Sequence, residues 1–217
     1  MNITKHTRYI WEISDIISTD EIEELNRRFD ICNLEPIESS RNTLRRNNTF
    51  HLPYYMTMGR EDVFELNSLC NEFIARAHKI YLEKNIFLYY GFPRSRVLEF
   101  WKWRGQNIIR TYDESDSYQW HSDFVEERPS ELSYIIYLND DFEGGKTCFF
   151  NDKLGVTPMK GSVLCFPVDD YHIHKSMKIT HGIKKILWNC LWHEIPENPN
   201  SIKKVISKPV NKSNIWG

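Results

Sequence analysis

Between Glu61 and Tyr81 the apolar residues return every three or four positions, at Val63, Leu66, Leu69, Cys70, Phe73, Ile74, Ala77, Ile80 and Tyr81. That is the period of a helix with one buried face, and it predicts the longest helix of the chain, laid against a sheet. After Pro93 the period shortens. Apolar runs at Val97–Trp103, Asn107–Tyr112, Leu132–Leu138, Lys146–Phe150, Ser162–Phe166, His172–Ser176 and Lys184–Trp192 are predicted strands. Their connectors carry Gly105, Asn139–Asp141, Gly144–Gly145, Gly155, Gly161 and Gly182, and leave no room for crossover helices. A sandwich or jelly roll is therefore expected rather than a βαβ fold. Upstream, Tyr9–Ile17 reads as an opening strand, and Thr19 or Asp20 as the cap of a short helix running through Phe29. Cys32–Met58, broken by Pro36 and Pro53, reads as a long loop with one or two short strands.

These elements predict a mainly β chain with N-terminal helices (α+β). A single domain is expected over residues 1–195, with a helical support region over about 19–83 and a strand-rich core over about 97–192. From Pro196 the sequence decays into Pro, Asn, Ser and Lys, the composition of a loosely held tail over 196–217.

Composition narrows the class. With 41% hydrophobic and 27% charged residues, the chain is neither disordered nor membrane-like. The net charge of −2 hides an uneven layout. Arg41, Arg45, Arg46, Arg94, Arg96, Lys102, Arg104 and Arg110 precede acidic clusters at Asp113, Glu114, Asp116, Asp123, Glu126 and Glu127, and at Asp140, Asp141 and Glu143. The balance gives no reason to expect nucleic acid as a partner, but permits a basic rim around an acidic metal pocket. Cys32, Cys70, Cys148, Cys165 and Cys190 are odd in number and lie mostly in apolar runs, which points to free thiols in a reducing compartment. Met1–Arg8 lacks the apolar stretch of a secretory signal, and no apolar run nears the roughly 20 residues needed to span a bilayer. A cytoplasmic protein without a membrane partner is expected.

The chemistry begins at His121-Ser122-Asp123. In an extended stretch an imidazole and a carboxylate two residues apart leave the same face and can converge on one ion. A second imidazole from His172, His174 or His181 would complete the two-His-one-carboxylate set of non-haem Fe(II) oxygenases, which leaves adjacent coordination positions open. His172 and His174 share strand parity, so parity alone does not choose between them. In the last predicted strand Lys184, Ile186, Trp188, Cys190 and Trp192 share one face. A lysine heading an inward apolar row needs an anion, and the far carboxylate of 2-oxoglutarate would supply one. Trp101, Trp103, Trp188 and Trp192 read as packing residues.

Three ordered blocks carry a resemblance: Leu132-Ser-Tyr-Ile-Ile-Tyr-Leu-Asn-Asp-Asp-Phe-Glu-Gly-Gly-Lys-Thr-Cys-Phe-Phe150, Pro158-Met-Lys-Gly-Ser-Val-Leu-Cys-Phe-Pro167 and His174-Lys-Ser-Met-Lys-Ile-Thr-His-Gly-Ile-Lys184. Over about residues 108–192 the chain resembles the prolyl 4-hydroxylase-type 2-oxoglutarate/Fe(II)-dependent dioxygenases. The resemblance implies a double-stranded β-helix (jelly roll, cupin-like). It also implies catalytic metal ligation by His121, Asp123 and His174, with His174 chosen by its spacing to Lys184. By the same resemblance Lys184 pairs with the C5 carboxylate of 2-oxoglutarate, Tyr112 and Tyr137 contact that cosubstrate, and Thr147 lines the same region. Gly144-Gly145 would turn closely beside the pocket. The implied cofactors are Fe(II), 2-oxoglutarate and O2, with ascorbate as a candidate reductant. A carboxylate at Asp123 fits hydroxylation, since related halogenases lack one there.

Two departures stand out. Lys185 follows the basic residue where an aromatic is common, and Asp113–Ser117 has no glycine where many relatives have one. The implied substrate is a prolyl residue in a peptide or protein, gripped by Asn42–Thr57 and Phe124–Ser130. Arg94, Arg96 and Arg104 keep open a free amino acid or other small metabolite. A non-catalytic, metal-containing jelly-roll binding domain is the alternative from another class.

Overall fold

The computed structural model describes residues 1–42, 44–89, 103–124 and 131–193. Residues 97–102 of the strand expected over Val97–Trp103, the tail over 196–217, Arg94, Arg96, Trp101, Glu126, Glu127 and the rest of 125–130 lie outside these residues, as do the side chains of Trp103 and Arg104.

The chain opens with a hairpin, β1 (Asn2–Lys5) and β2 (Trp11–Ser14), in place of one strand over Tyr9–Ile17. Asp15, with a left-handed φ of 61°, ends β2 early. Helix α1 (Thr19–Cys32) follows, and its cap is Ser18, one residue ahead of the expected position. The Ser18 hydroxyl accepts from the Glu21 N–H while the Glu21 carboxylate accepts from the Ser18 N–H, a reciprocal capping box. Ile22, Leu25, Phe29 and Cys32 form its buried stripe.

The polar stretch after α1 is more ordered than its composition suggests. It forms β3 (Glu38–Arg41), β4 (Arg45–His51) and a short helix α2 (Leu52–Thr57). Pro53 does not break α2 but sits in its first turn, where a missing N–H costs nothing. Strand β4 enters the main sheet, with Asn47 and Thr49 buried. Helix α3 (Asp62–Tyr89) carries the predicted stripe and continues past Tyr81, with Leu82 and Asn85 also buried.

Beyond α3 come β5 (Trp103–Tyr112), β6 (Ser117–His121), β7 (Leu132–Tyr137), β8 (Glu143–Gly144), β9 (Thr147–Phe149), β10 (Leu154–Val156), β11 (Val163–Pro167), β12 (His174–Ser176), β13 (Ile179–His181) and β14 (Lys184–His193). Among the described residues one curled sheet runs β1-β2-β11-β7-β14-β5-β4-β6-β12-β9-β10, with β3 on β4, while β8 pairs with β13. This mostly β half-barrel with N-terminal helices is the double-stranded β-helix, or jelly roll. The turn without glycine, Asp113–Ser117, places Ser115 in the left-handed region at φ 72° and is closed by the Asp113 N–H on the Asp116 carboxylate.

Both faces of the central strands are covered, which explains why β7 is buried at every position and apolar at all but Ser133. Ile109, Leu132, Tyr134, Ile136, Val163, Cys165 and Leu187 pack outward against α1 and α3. Ile108, Tyr112, Ile135, Tyr137, Leu164, Phe166, Ile186 and Trp188 point the other way, into the barrel. Each fully buried large apolar side chain contributes about 1.5–3 kcal/mol. The helices thus hold the sheet rigid from behind while its concave face is left for chemistry. No helix among the described residues is long and apolar enough to cross a membrane.

Candidate metal centre and cosubstrate pocket

Strands β6 and β12 pair antiparallel, and their register sets His174 directly opposite His121. The two imidazole centroids are 4.3 Å apart. Asp123 follows two residues later, just past the end of β6. One ligand atom from each of His121, Asp123 and His174 lies within 4.8 Å of the others.

Hydrogen bonds decide which nitrogens face inward. His121 Nδ1 lies 2.7 Å from the Gln119 carbonyl oxygen, and His174 Nδ1 lies 3.2 Å from that of His172. A carbonyl only accepts, so each Nδ1 carries the proton and each Nε2 keeps its lone pair. Those Nε2 atoms are 3.6 Å from Asp123 Oδ1 and Oδ2 respectively. Asp123 Oδ2 accepts from Ser133 Oγ at 2.6 Å and from Trp188 Nε1 at 3.1 Å, which fixes the carboxylate; among the described residues Oδ1 has no such donor. Tyr118 stacks on His121 at 3.5 Å and 10°, and Phe166 packs edge-on against His174.

Charge states follow from these surroundings. Burial, reinforced by the neighbouring His174, pushes His121 down to about 3. Burial likewise lowers His174. For Asp123 burial acts upward, but His174, His121 and the Ser133 hydroxyl outweigh it and hold the carboxyl below its ordinary value. At neutral pH the cluster is two neutral imidazoles and one carboxylate, the forms that bind a metal. The donor set and its open side suit a divalent iron.

A cavity of about 300 Å3, part of it open to solvent, runs from His121 and His174 to Lys184 along Ile186, Thr147 and Ser176. Lys184 is 1% exposed. Its Nζ donates to the Gly145 carbonyl at 2.6 Å and to Ser176 Oγ at 3.0 Å, and no acidic partner is within ion-pair distance among the described residues. Burial pushes it down to about 7. A buried ammonium with neutral partners only is the arrangement a ligand carboxylate would complete.

The other expected residues divide. Tyr112 lies opposite Lys184 in the β5–β14 register, and Nζ sits 5.5 Å from the ring centroids of both Tyr112 and Tyr137. Tyr137 and Thr147 share a hydroxyl hydrogen bond of 2.8 Å. Burial raises both tyrosines, so both remain protonated donors. Gly145 has a φ of +64°, and a Cβ there would come within 3.2 Å of Lys184 Cδ. His172 instead pairs with Asp169 at 2.7 Å, and His181, exposed, pairs with Glu114. Lys185 points away from the pocket, toward Asp30. Trp188 does more than pack, since its indole N–H holds Asp123. Ser133, Tyr118, Ser176 and Arg110 also belong to the site and carried no role in the sequence. Period-two parity in β5, β7 and β14 was the signal that could have placed Arg110, Ser133 and Trp188 on one inward face.

Residues 108–193 match the family described as the 2OG-Fe(II) oxygenase superfamily. In fold, the chain is similar to a viral collagen prolyl hydroxylase of Paramecium bursaria Chlorella virus 1, with TM-score 0.58 and 17% identity over 87% of this chain and 97% of that one. It is similar to a Pseudomonas putida prolyl-4-hydroxylase, with TM-score 0.60 and 18% identity over 87% and 94% of the two chains. It also resembles a Trichoplax adhaerens prolyl hydroxylase solved with a hypoxia-inducible-factor peptide, with TM-score 0.60 and 12% identity over 94% and 89%. No curated protein matches the sequence. The His-Asp-His triad and the match over residues 108–193 support Fe(II)/2-oxoglutarate-dependent dioxygenase activity.

Proposed function

We propose that this dioxygenase hydroxylates a prolyl residue of a peptide or protein, with His121 Nε2, His174 Nε2 and Asp123 Oδ1 holding Fe(II) and Lys184 holding 2-oxoglutarate. The observation that carries the reading is the buried Lys184 ammonium at the far end of a cavity whose near end is the three-ligand cluster. When bound, iron with 2-oxoglutarate and O2 supplies the oxidation, in which a substrate C–H becomes C–OH and 2-oxoglutarate leaves as succinate and CO2. The protein's own residues orient and enclose. Lys184, the Tyr112 hydroxyl and the Tyr137–Thr147 pair supply donors for the far carboxylate, and Ile186 gives the chain between the two ends an apolar wall. Ser133 and Trp188 hold Asp123 by Oδ2, so that Oδ1 faces His121 Nε2. The likeness in fold to three prolyl hydroxylases supports the choice of acceptor. Five free, buried thiols fit a reducing cytoplasmic setting.

A second reading, a free amino acid or small carboxylate as acceptor, is favoured by one feature: Arg110 lines the same cavity. Succinate formation with Fe(II), measured beside a mass-spectrometric screen for the gain of one oxygen atom over prolyl peptides and free amino acids, tests both readings. Loss of succinate in Asp123→Ala is expected. Oxygen gained only by free amino acids would remove the peptide assignment. Succinate formation indifferent to Asp123→Ala would remove the metal assignment.

A further inference from the structure

After Lys184 is matched to the cosubstrate, the cavity holds one more cation. Arg110 in β5 is 7% exposed and lines the cavity with His121, His174 and Lys184. Its guanidinium carbon lies 4.5 Å from the ring centroid of Trp188 and 5.5 Å from that of Tyr118. The Tyr118 ring in turn stacks on His121. Arg110 Nε has no hydrogen-bond partner, and no acidic group among the described residues is within ion-pair distance of the guanidinium. Asp123 feels its charge, but one Asp123 oxygen is held by Ser133 and Trp188 and the other faces His121.

We propose that Arg110 binds a carboxylate carried by the primary substrate, so that the acceptor is an amino acid, or a chain-terminal residue, whose own carboxylate is free. The proposal rests on the hydroxylase chemistry above and deepens its second reading, in place of an internal prolyl residue as acceptor. Two aromatic faces offset part of the cost of burying a guanidinium, yet they leave its Nε–H without a partner. A planar fork of N–H donors matches a carboxylate edge-on. A neutral amide carbonyl, all that an internal residue offers at that point, would leave the buried charge uncompensated. The two anionic ends of 2-oxoglutarate already have partners, Lys184 at one end and the triad at the other. In the β5–β14 register Lys184 stands opposite Tyr112 and Ile186 opposite Arg110, so the two cations occupy successive inward positions and serve separate anions. Through Tyr118, Arg110 is next to His121, so a carboxylate held there lies a few bonds from the carbon that reacts.

The test compares L-proline, glycyl-L-proline and glycyl-L-prolinamide with the Fe(II)-loaded enzyme and its Arg110→Gln and Arg110→Lys variants. The two free-carboxylate acceptors are expected to show a KM at least about tenfold below that of the amide, as loss of a charge-assisted pair implies. Arg110→Gln should raise the KM for the acids about tenfold to hundredfold while 2-oxoglutarate KM stays within about twofold, and Arg110→Lys should recover part of the difference. Equal use of acid and amide by the wild type overturns the proposal, and that comparison needs no variant to fold. So does an Arg110→Gln effect that falls on 2-oxoglutarate instead. Failure of the hydroxylase reading is visible separately, as absence of succinate with every acceptor. In that event the thermal shift given by L-proline under anaerobic conditions decides the arginine alone. A shift lost in Arg110→Gln supports it, and an unchanged or absent shift overturns it.

Discussion

Replacing Lys184 by Met should stabilise the ligand-free protein at mildly acidic pH while removing its grip on 2-oxoglutarate. The ammonium is fully buried, and burial takes its pKa from the ordinary 10.5 to about 7. At about 1.4 kcal/mol per pH unit, the charged form is roughly 5 kcal/mol costlier in the folded chain than in the unfolded one. Below about pH 7 both states are protonated and the whole penalty applies. Between about 7 and 10.5 the unfolded chain binds the proton and the folded chain does not, so stability rises with pH through that window. Methionine keeps most of the volume but leaves the Gly145 carbonyl and the Ser176 hydroxyl without their donor, a loss of about 1–3 kcal/mol. The net gain at about pH 6 is then on the order of 2 kcal/mol, and it shrinks and reverses as pH climbs. Urea unfolding of both proteins across this range reads the gain, and 2-oxoglutarate KM, expected to rise at least about hundredfold, reads the function. A variant destabilised equally at every pH, or one that still binds 2-oxoglutarate normally, would refute the reasoning.

Three further outcomes are expected. Ser133→Ala and Trp188→Phe each remove one donor from Asp123 Oδ2, and each should weaken Fe(II) affinity about tenfold to hundredfold, read by anaerobic metal titration. Gly145→Ala meets a left-handed φ of +64° and would set a Cβ 2.6 Å from Ile179 Cδ1, so a loss of about 1–3 kcal/mol in thermal unfolding and a raised 2-oxoglutarate KM should appear together. Ser18→Ala opens the capping box of α1, which lies in the helix layer behind the sheet, and should cost about 1 kcal/mol with kcat unchanged.

The sequence was readable wherever periodicity or a short motif bears on the answer. The α3 stripe, the inward row headed by Lys184 and the His121–Asp123 pair are local patterns, and local geometry preserves them. What escaped depends on register or on turn chemistry. Whether His172 or His174 reaches His121 is settled by the β6–β12 pairing, which no single strand reveals. Ser133, Trp188 and Arg110 meet the centre only because β7, β14 and β5 lie side by side in a particular alignment. Strands β8, β10 and β13, of two or three residues each, are too short for a period to show. Pro53 looked like a breaker because its position relative to a helix start cannot be judged before the helix is seen. Strand β4 was hidden by its polarity: Asn47 and Thr49 are buried on the strength of sheet pairing rather than apolar side chains.

The most direct measurement is a crystal structure of the protein grown anaerobically with Mn(II), as an inert stand-in for Fe(II), and 2-oxoglutarate. One ion bound by His121 Nε2, His174 Nε2 and Asp123, with the far carboxylate of 2-oxoglutarate on Lys184 Nζ, is the predicted result. An ion elsewhere, or a dicarboxylate that leaves Lys184 without an anion, would contradict the account.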